Sequence, residues 1–104
     1  MGLIEAFFMQ EVSITPYLRQ GAGEAVYGPP ETRSCRLEMG AHLMTTYKDP
    51  DGVIEQVEAR ATMFCVGDKI PINSIVTYDG EEYKVINCEE MRGFGTSHLE
   101  VFLQ

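Results

Sequence analysis

Cysteine and histidine are the residue types in this chain that are best suited to bind a metal ion or to act as nucleophile and base. The chain has three cysteines and two histidines: Cys35, Cys65, Cys88, His42 and His98. Structural zinc sites usually draw their ligands from closely spaced pairs, whereas no two of these five residues lie closer than seven positions. Free cysteine also packs well as a small apolar side chain. The spacing therefore predicts three free thiols and no bound metal or other cofactor.

Catalytic arrangements of nucleophile, acid and base are equally weak in the sequence. A Cys88–His98 pair would need hydrogen-bond contact and a third group that orients the base, and no local motif indicates one. Adjacent residues on a strand point to opposite faces of a sheet, so the Glu-Glu pairs at 81–82 and 89–90 are poorly placed for acid-base catalysis. The glycines in GAGE and GFG lack the strand and helix that flank phosphate-binding loops. We therefore expect that the protein is not an enzyme.

The composition is that of one acidic globular domain over residues 1–104. The 104 residues carry a formal net charge of −8, and a chain of this length is typical of a single domain. Affinity for nucleic acid comes mostly from Lys and Arg; the eight basic residues are scattered, so tight binding to DNA or RNA is not expected. The odd number of cysteines favours a reducing compartment. MGLIEAFFMQ lacks the basic region of a signal peptide, and no apolar run approaches the roughly 20 residues that span a membrane.

Apolar and polar residues alternate along most of the chain, which predicts β-strands. The alternating stretches are 12–18, 33–39, 53–65, 72–78, 81–88 and 99–103. A helix is the alternative for 53–65, because its Glu, Gln, Ala and Arg residues favour helices. RQGAGEAVYGPPE (19–31) and EEMRGFGTS (89–97) predict loops, since both are rich in loop-forming residues. About six strands without a long helix indicate an all-β fold, a small antiparallel β-barrel or sandwich.

The segment IVTYDGEEYKVIN predicts a tight hairpin near the end of the chain. Its two-residue Asp-Gly loop (79–80) suits a type I′ turn, which needs positive φ at both positions. In that register Val76 faces Tyr83 and Ser74 faces Val85, so one face of the hairpin is apolar. The hairpin thus supplies two of the strands of the predicted barrel.

The segment EMGAHLMTTYKDPDGVIEQ is longer than a compact barrel needs. Its turn signal, YKDPDG, contains a proline and a glycine, so two strands are expected to extend beyond the barrel as a hairpin arm over residues 40–54. Exposed apolar residues on this arm, such as Leu43, Met44 and Val53, would need to be covered by a partner. The alternative is an ordinary surface hairpin.

The order of these motifs resembles the head-tail connector family of tailed bacteriophages, the small head completion or stopper proteins often labelled minor capsid proteins. The resemblance covers nearly the whole chain: an apolar N-terminus, the strand EVSITPYL, the loop VYGPPETRSCRLE, a variable hairpin and the run from GDKI to HLEVFL. Its most specific parts are GDKI at 67–70, YDG at 78–80 and EYKV at 82–85. These motifs are structural, so they also fit other small barrels.

The resemblance implies a β-barrel subunit of a twelve-fold oligomeric ring in the virion neck. That ring would lie below the portal and its adaptor, close the DNA-filled head, dock tail proteins and touch packaged DNA only transiently. In family members the loop between the second and third strands lines or plugs the DNA channel. This implies channel-facing residues on the arm: His42, Leu43, Met44, Thr45, Thr46, Tyr47, Lys48, Asp49, Asp51 and Val53. Because the segment has few charges and no gate motif, lining and plugging both remain open.

The implied location is the virion neck, after assembly in the host cytoplasm and without membrane contact. A monomeric small barrel that binds a host or phage polypeptide is the alternative function, and it would show the same strand pattern. Oligomeric behaviour separates the two, because a ring subunit must bury surface on both flanks through contacts that close. Stopper, adaptor and tail-completion roles are not distinguished by the sequence.

Overall fold

The computed structural model describes residues 10–93 and 96–104, and its regular structure there consists of β-strands. The eight strands are β1 Gln10–Thr15, β2 Tyr17–Gln20, β3 Ala25–Tyr27, β4 Glu31–Lys48, β5 Ile54–Cys65, β6 Ile75–Tyr78, β7 Glu81–Gly93 and β8 Thr96–Leu103. No helix occurs in these two ranges, so the prediction of an all-β fold is confirmed. The helical alternative for 53–65 is wrong, because β5 pairs with a strand on each side.

Six of the strands pair in a closed antiparallel arrangement, which we call the strand ring. Their order is β1-β4-β5-β8-β7-β6, and β6 pairs back onto β1. The number of strands agrees with the prediction of about six. The remaining two strands, β2 and β3, form a small separate sheet. Closure leaves no unpaired strand edge along the part of the ring where all six strands overlap.

Proline explains the first difference from the predicted strands. The predicted strand 12–18 is divided at Pro16 into β1 and β2, because proline has no N–H to contribute to a sheet. Instead, the Pro16 carbonyl accepts a hydrogen bond from the Gly28 N–H at 2.8 Å. The predicted loop 19–31 is wrong in part, since β2 and β3 pair within it. These strands have four and three residues, too few to produce a periodic signal.

The β6–β7 hairpin has the predicted turn and register. Val76 lies opposite Tyr83, and the pairing continues to the last residue of β6. Asp79 and Gly80 have φ angles of 51° and 79°, the positive values that a type I′ turn requires. This part of the fold is therefore confirmed residue by residue.

A β-bulge lies just before β6. The Val85 N–H donates to the Ser74 carbonyl at 2.8 Å, as the predicted register requires, and the Asn73 N–H donates to the Val85 carbonyl at 2.7 Å. Two residues thus face one across the pair, which defines a bulge. Asn73 has φ 77°, a left-handed conformation that asparagine adopts more readily than most residues.

Alternate residues of the six strands fill the interior of the strand ring. The buried core consists of Val12, Ile14, Cys35, Ala61, Met63, Cys65, Ile70, Val76, Tyr83, Val85, Cys88, Leu99, Val101 and Leu103. Cys35 and Cys65 are fully buried, as predicted from their positions among the apolar residues that alternate along their strands. All three cysteines are therefore packing residues of this core.

The β7–β8 hairpin is longer than the sequence pattern indicated. The segment 89–97, predicted as a loop, continues the strand pairing: Met91 lies opposite His98, Arg92 opposite Ser97 and the last pair is Gly93 with Thr96. Backbone pairing with the neighbouring strand outweighs the low strand propensity of glycine here. Residues 94 and 95 of the same segment lie outside the described residues.

Candidate functional site

Strands β4 and β5 extend well beyond the strand ring as one hairpin, the arm (residues 40–59). Within the ring, their pairing ends at Met39 and Ala61; it resumes at Leu43 with Ala59 and continues to Lys48 with Ile54. Between these two pairs, β4 advances by four residues and β5 by only two, so β4 contains a bulge. Such a bulge bends a strand and increases its twist, and Gly40, with φ 76°, lies within it.

The tip of the arm is a structured turn at the predicted place. The Asp49 carboxylate accepts hydrogen bonds from the backbone N–H groups of Asp51 at 3.0 Å and Val53 at 2.9 Å. The Asp49 N–H donates to the Val53 carbonyl at 2.9 Å. Aspartate stabilises turns through bonds of this kind. The tip therefore has a defined shape, and Asp49 acts in it as a structural residue.

One face of the arm packs against the outside of the strand ring. Tyr47, Ala59 and Ile86 form a second buried cluster, against which Val57, Ile72 and Phe102 pack. Phe102 alternates along β8 with Val101 and Leu103 of the ring core, so it points away from that core. We call this second cluster the arm dock.

Polar contacts join the same face of the arm to the ring. The Tyr47 hydroxyl donates to Asn73 Oδ1 at 2.5 Å, and the Asn87 side-chain amide donates to Thr45 Oγ1 at 3.0 Å. The Lys84 ammonium lies 4.6 Å from the centre of the Tyr47 ring, within the range of cation-π attraction. Thr45 and Tyr47 are only 8% and 6% exposed. These two predicted channel-facing residues are therefore occupied in holding the arm to its own chain.

The opposite face and the tip carry unusually exposed apolar side chains. Ile54 is 66% exposed, Met44 61% and Val53 57%. Between them, Gln56 donates a side-chain hydrogen bond to Thr46 at 3.1 Å. Large exposed apolar groups in one area are typical of interaction surfaces. This face is the candidate functional site of the protein.

The predicted site residues thus divide into three groups. Met44, Thr46, Lys48, Asp51 and Val53 are exposed, Asp49 is half-buried in the turn, and Thr45 and Tyr47 are buried. For His42 and Leu43 only the backbone in β4 is described, and their side chains lie outside the described residues. The predicted arm, 40–54, includes Ile54, but the predicted channel-facing residues end at Val53 and so omit this most exposed apolar residue of the arm. The paired hairpin also continues beyond the predicted end, to Ala59.

The arm is acidic, which bears on its use near DNA. Residues 40–59 contain one lysine and four carboxylates. Phosphate contacts require Lys and Arg, so an arm of this charge is not expected to adhere to a DNA backbone.

Two of the cysteines, Cys35 and Cys65, are buried thiols with raised pKa values. Burial, and to a smaller extent the nearby Cys65 thiol, together raise the pKa of the Cys35 thiol from 9.0 to about 12. Burial also raises the pKa of Cys65, against the opposing effect of Arg33. A thiol that stays protonated is a poor nucleophile and metal ligand. Within ranges 10–93 and 96–104, no group of three or more His, Cys, Asp or Glu side chains is arranged to hold a metal ion.

A second surface feature, the proline groove, was not foreseen from the sequence. It lies between the β2–β3 sheet and the loop after β5, and its volume is about 400 Å³. The lining residues are Ile14, Pro16, Leu18, Gly28, Pro29, Pro30, Glu31, Arg33, Asp68, Lys69, Ile70 and Pro71. The prolines are distant in sequence, so only the fold shows that they meet.

Comparison with known proteins adds no family to these observations. No protein-family model matches the sequence, and the search of curated proteins finds no relative. Among the described residues, no helix is long and apolar enough to cross a membrane.

Proposed function

We propose that this protein is a structural subunit of the neck of a tailed bacteriophage, where copies of it form an oligomeric ring. The observation that carries the proposal is the arm: a long hairpin held against the strand ring on one face, with Met44, Val53 and Ile54 exposed on the other face and at the tip. In this reading the strand ring is a small β-barrel that serves as the scaffold. Rigid sheets commonly position the segments that carry function.

The remaining parts of the proposal follow from the resemblance of the motifs to head-tail connector proteins. The oligomeric ring has twelve copies, sits below the portal and its adaptor, closes the filled head and docks tail proteins. Its place is the neck of the virion, after assembly in the host cytoplasm. Contact with packaged DNA is transient, in agreement with the acidic arm.

The arm dock limits which residues of the arm can face the proposed DNA channel. Because Thr45 and Tyr47 are buried against the ring, the exposed face is the one proposed to meet the channel or a neighbouring protein. Lining the channel with this face requires no rearrangement, whereas plugging it with Tyr47 would require the arm to leave its dock. We therefore propose that the exposed strand face of the arm, which carries Met44 and Thr46, lines the channel.

The test uses a phage or prophage that encodes the chain. Heads assembled without the protein are supplied with wild type or with a Met44→Thr/Thr46→Ala double variant, which alters only exposed side chains of the arm and leaves Val53 and Ile54 unchanged. We expect the variant to fold but to leave heads that leak packaged DNA or fail to accept tails. Met91→Thr is the matched control, since Met91 is 40% exposed and lies on the β7–β8 hairpin. Normal DNA retention and tail attachment with the double variant would refute the proposal.

The proline groove favours one second candidate, a monomeric module that binds a polypeptide. A groove of about 400 Å³ is within the usual size of binding pockets. On that reading the wild-type protein stays monomeric, and its deletion leaves DNA retention unchanged.

A further inference from the structure

The proline groove has four prolines and two other large aliphatic residue types, isoleucine and leucine, in its lining. Several hydrogen bonds fix its walls: Gly28 N–H to the Pro16 carbonyl at 2.8 Å, and the Arg33 guanidinium to the Asp68 carbonyl at 2.9 Å. Arg33 also forms a 2.8 Å ion pair with Glu31. Proline lacks an N–H, so these walls offer apolar surface more than backbone hydrogen bonds. An occupant would therefore be held mainly by apolar side chains.

The most exposed apolar residues of the described chain lie at the arm and at this groove. Val53 at the arm tip and Leu18 in the groove are each 57% exposed, and Ile54 beside the tip is 66% exposed. No residue of the arm lines the groove among the described residues, so the arm of the same chain does not fill it. Within residues 10–93 and 96–104, the arm thus forms an apolar projection and the groove an apolar depression, and the arm does not cover the groove.

The groove lining carries two acidic and two basic residues, Glu31, Arg33, Asp68 and Lys69, and Arg33 is paired with Glu31. Asp51 lies at the arm tip next to the apolar pair, and Lys69 lies at the groove. Both are exposed, and within the described ranges neither side chain takes part in a hydrogen bond or ion pair. A tip that enters the groove could therefore pair an unused carboxylate with an unused ammonium group.

We propose that the arm tip of one copy inserts Val53 and Ile54 into the proline groove of a second copy, with Asp51 facing Lys69. A projection that fits a cavity elsewhere on the same molecule produces a heterologous contact, which repeats until it closes into a ring or extends as a filament. The inference rests on the proposed function, because it assigns the contact through which the oligomeric ring closes.

The experiment compares oligomers of the full chain by sedimentation velocity over a range of concentrations. Two variants each disable one side of the contact: Ile54→Asp on the tip and Leu18→Asp in the groove. We expect wild type to form oligomers larger than dimers and each variant alone to stay monomeric at concentrations at least ten times higher. An equimolar mixture of the two variants should stop at the dimer, because it retains one intact tip and one intact groove.

The charge pair supplies a second test that does not alter apolar packing. Asp51→Lys and Lys69→Asp should each weaken association about two- to five-fold, in keeping with an exposed ion pair, and the combined variant should restore it. Wild type that remains monomeric at all concentrations would refute the inference. Oligomers that persist unchanged in all these variants would also refute it, yet leave the neck function standing, since that is judged by DNA retention and tail attachment.

Discussion

At the scale of single residues, the β6–β7 turn depends on Gly80. Because Gly80 has φ 79°, we expect Gly80→Val to lower the free energy of unfolding by about 1–2 kcal/mol, the usual cost of a left-handed conformation. No heavy atom lies within 4 Å of where a Cβ would stand, so steric collision adds nothing. Urea denaturation measures the change. Gly80→Asn is the control and should lose less, since asparagine tolerates this conformation; equal stability of Val and wild type would disprove the turn.

The thiol of Cys35 gives the protein a pH dependence on the alkaline side. Its pKa is raised from 9.0 to about 12 in the folded state, so the folded chain holds this proton more tightly than the unfolded chain does. Below pH 9 the thiol is protonated in both the folded and the unfolded chain, so its contribution to the free energy of unfolding is fully present. As the pH rises toward 12, the unfolded chain releases the proton first, and the free energy of unfolding falls by up to about 1.4 kcal/mol per pH unit.

Denaturation midpoints measured at intervals across this pH range test the effect. Cys35→Ala is the matched variant, and its free energy of unfolding should fall less steeply than that of wild type as the pH rises. The raised pKa of Tyr83, caused first by its hydrogen bond to Glu81, acts in both proteins and cancels in the comparison. Identical slopes for the two proteins would mean that the Cys35 thiol does not carry the effect.

At the scale of elements, the arm is held by its dock. Tyr47→Phe should cost about 1 kcal/mol, the net contribution of one hydrogen bond, here the bond to Asn73. Tyr47→Ala should cost about 3 kcal/mol or more, because it also empties a buried aromatic site. Thr46→Ala, on the exposed face of the arm, is the control and should change the free energy of unfolding little.

Hydrogen exchange shows whether these losses are local to the arm. In Tyr47→Ala the amides of the arm part of β5, residues 54–59, should exchange faster, while those of the β6–β7 hairpin keep their protection. Uniform loss of protection in both elements would show that the arm and the strand ring unfold as one unit.

Shortening the arm should have different effects at its tip and along its length. Replacement of residues 49–53 by Asn-Gly keeps the pairing of Lys48 with Ile54 and should cost little, because loop length affects stability only slowly. Replacement of 43–53 by a Gly-Ser turn removes Thr45 and Tyr47 and leaves Ile86 uncovered. We expect this larger deletion to destabilise the protein by several kcal/mol. Thermal denaturation of both deletion variants tests this prediction. Equal melting temperatures would show that the arm dock does not stabilise the protein.

The arm also shows which parts of the fold are readable from the sequence. The Asp-Gly turn and the register of the β6–β7 hairpin are local properties of a few residues, so they were predictable. The arm dock was not, because the alternation that places Tyr47 on one face does not tell whether solvent or another strand covers that face. The β7–β8 extension was missed because its glycines indicate a loop, whereas its pairing partner comes from the next strand.

The candidate site was readable only in outline. The position of the arm and its turn follow from YKDPDG, and Met44 and Val53 are exposed as expected. The packing of the arm against β7 and β8 depends on contacts between distant residues such as Tyr47 and Asn73. The proline groove likewise assembles residues from three separate segments, which no pattern in the sequence connects.

At the scale of the whole molecule, the net charge of −8 distinguishes this protein from typical DNA-binding proteins. We expect no measurable binding to a random duplex at about 150 mM salt, because too few Lys and Arg are available to neutralise phosphates. Fluorescence anisotropy with a labelled duplex measures this. A variant with Asp51, Glu55 and Glu58 changed to lysine is the comparison and should bind at low salt. A micromolar dissociation constant between the wild-type protein and the duplex would contradict this prediction.

The closure of the strand ring between β1 and β6 also sets the order of folding. Each of the hairpins β4–β5, β6–β7 and β7–β8 joins neighbouring strands and can form within microseconds, but closure must bring Ser13, Ile14 and Thr15 to Thr77, Val76 and Ile75, across most of the chain. All-β proteins with such distant pairings fold in milliseconds to seconds. Until β1 arrives, β4 and β6 present unpaired backbone edges that can join another chain. A newly made chain thus passes through a brief aggregation-prone state, and its yield in the cell should depend on how quickly β1 pairs with β4 and β6.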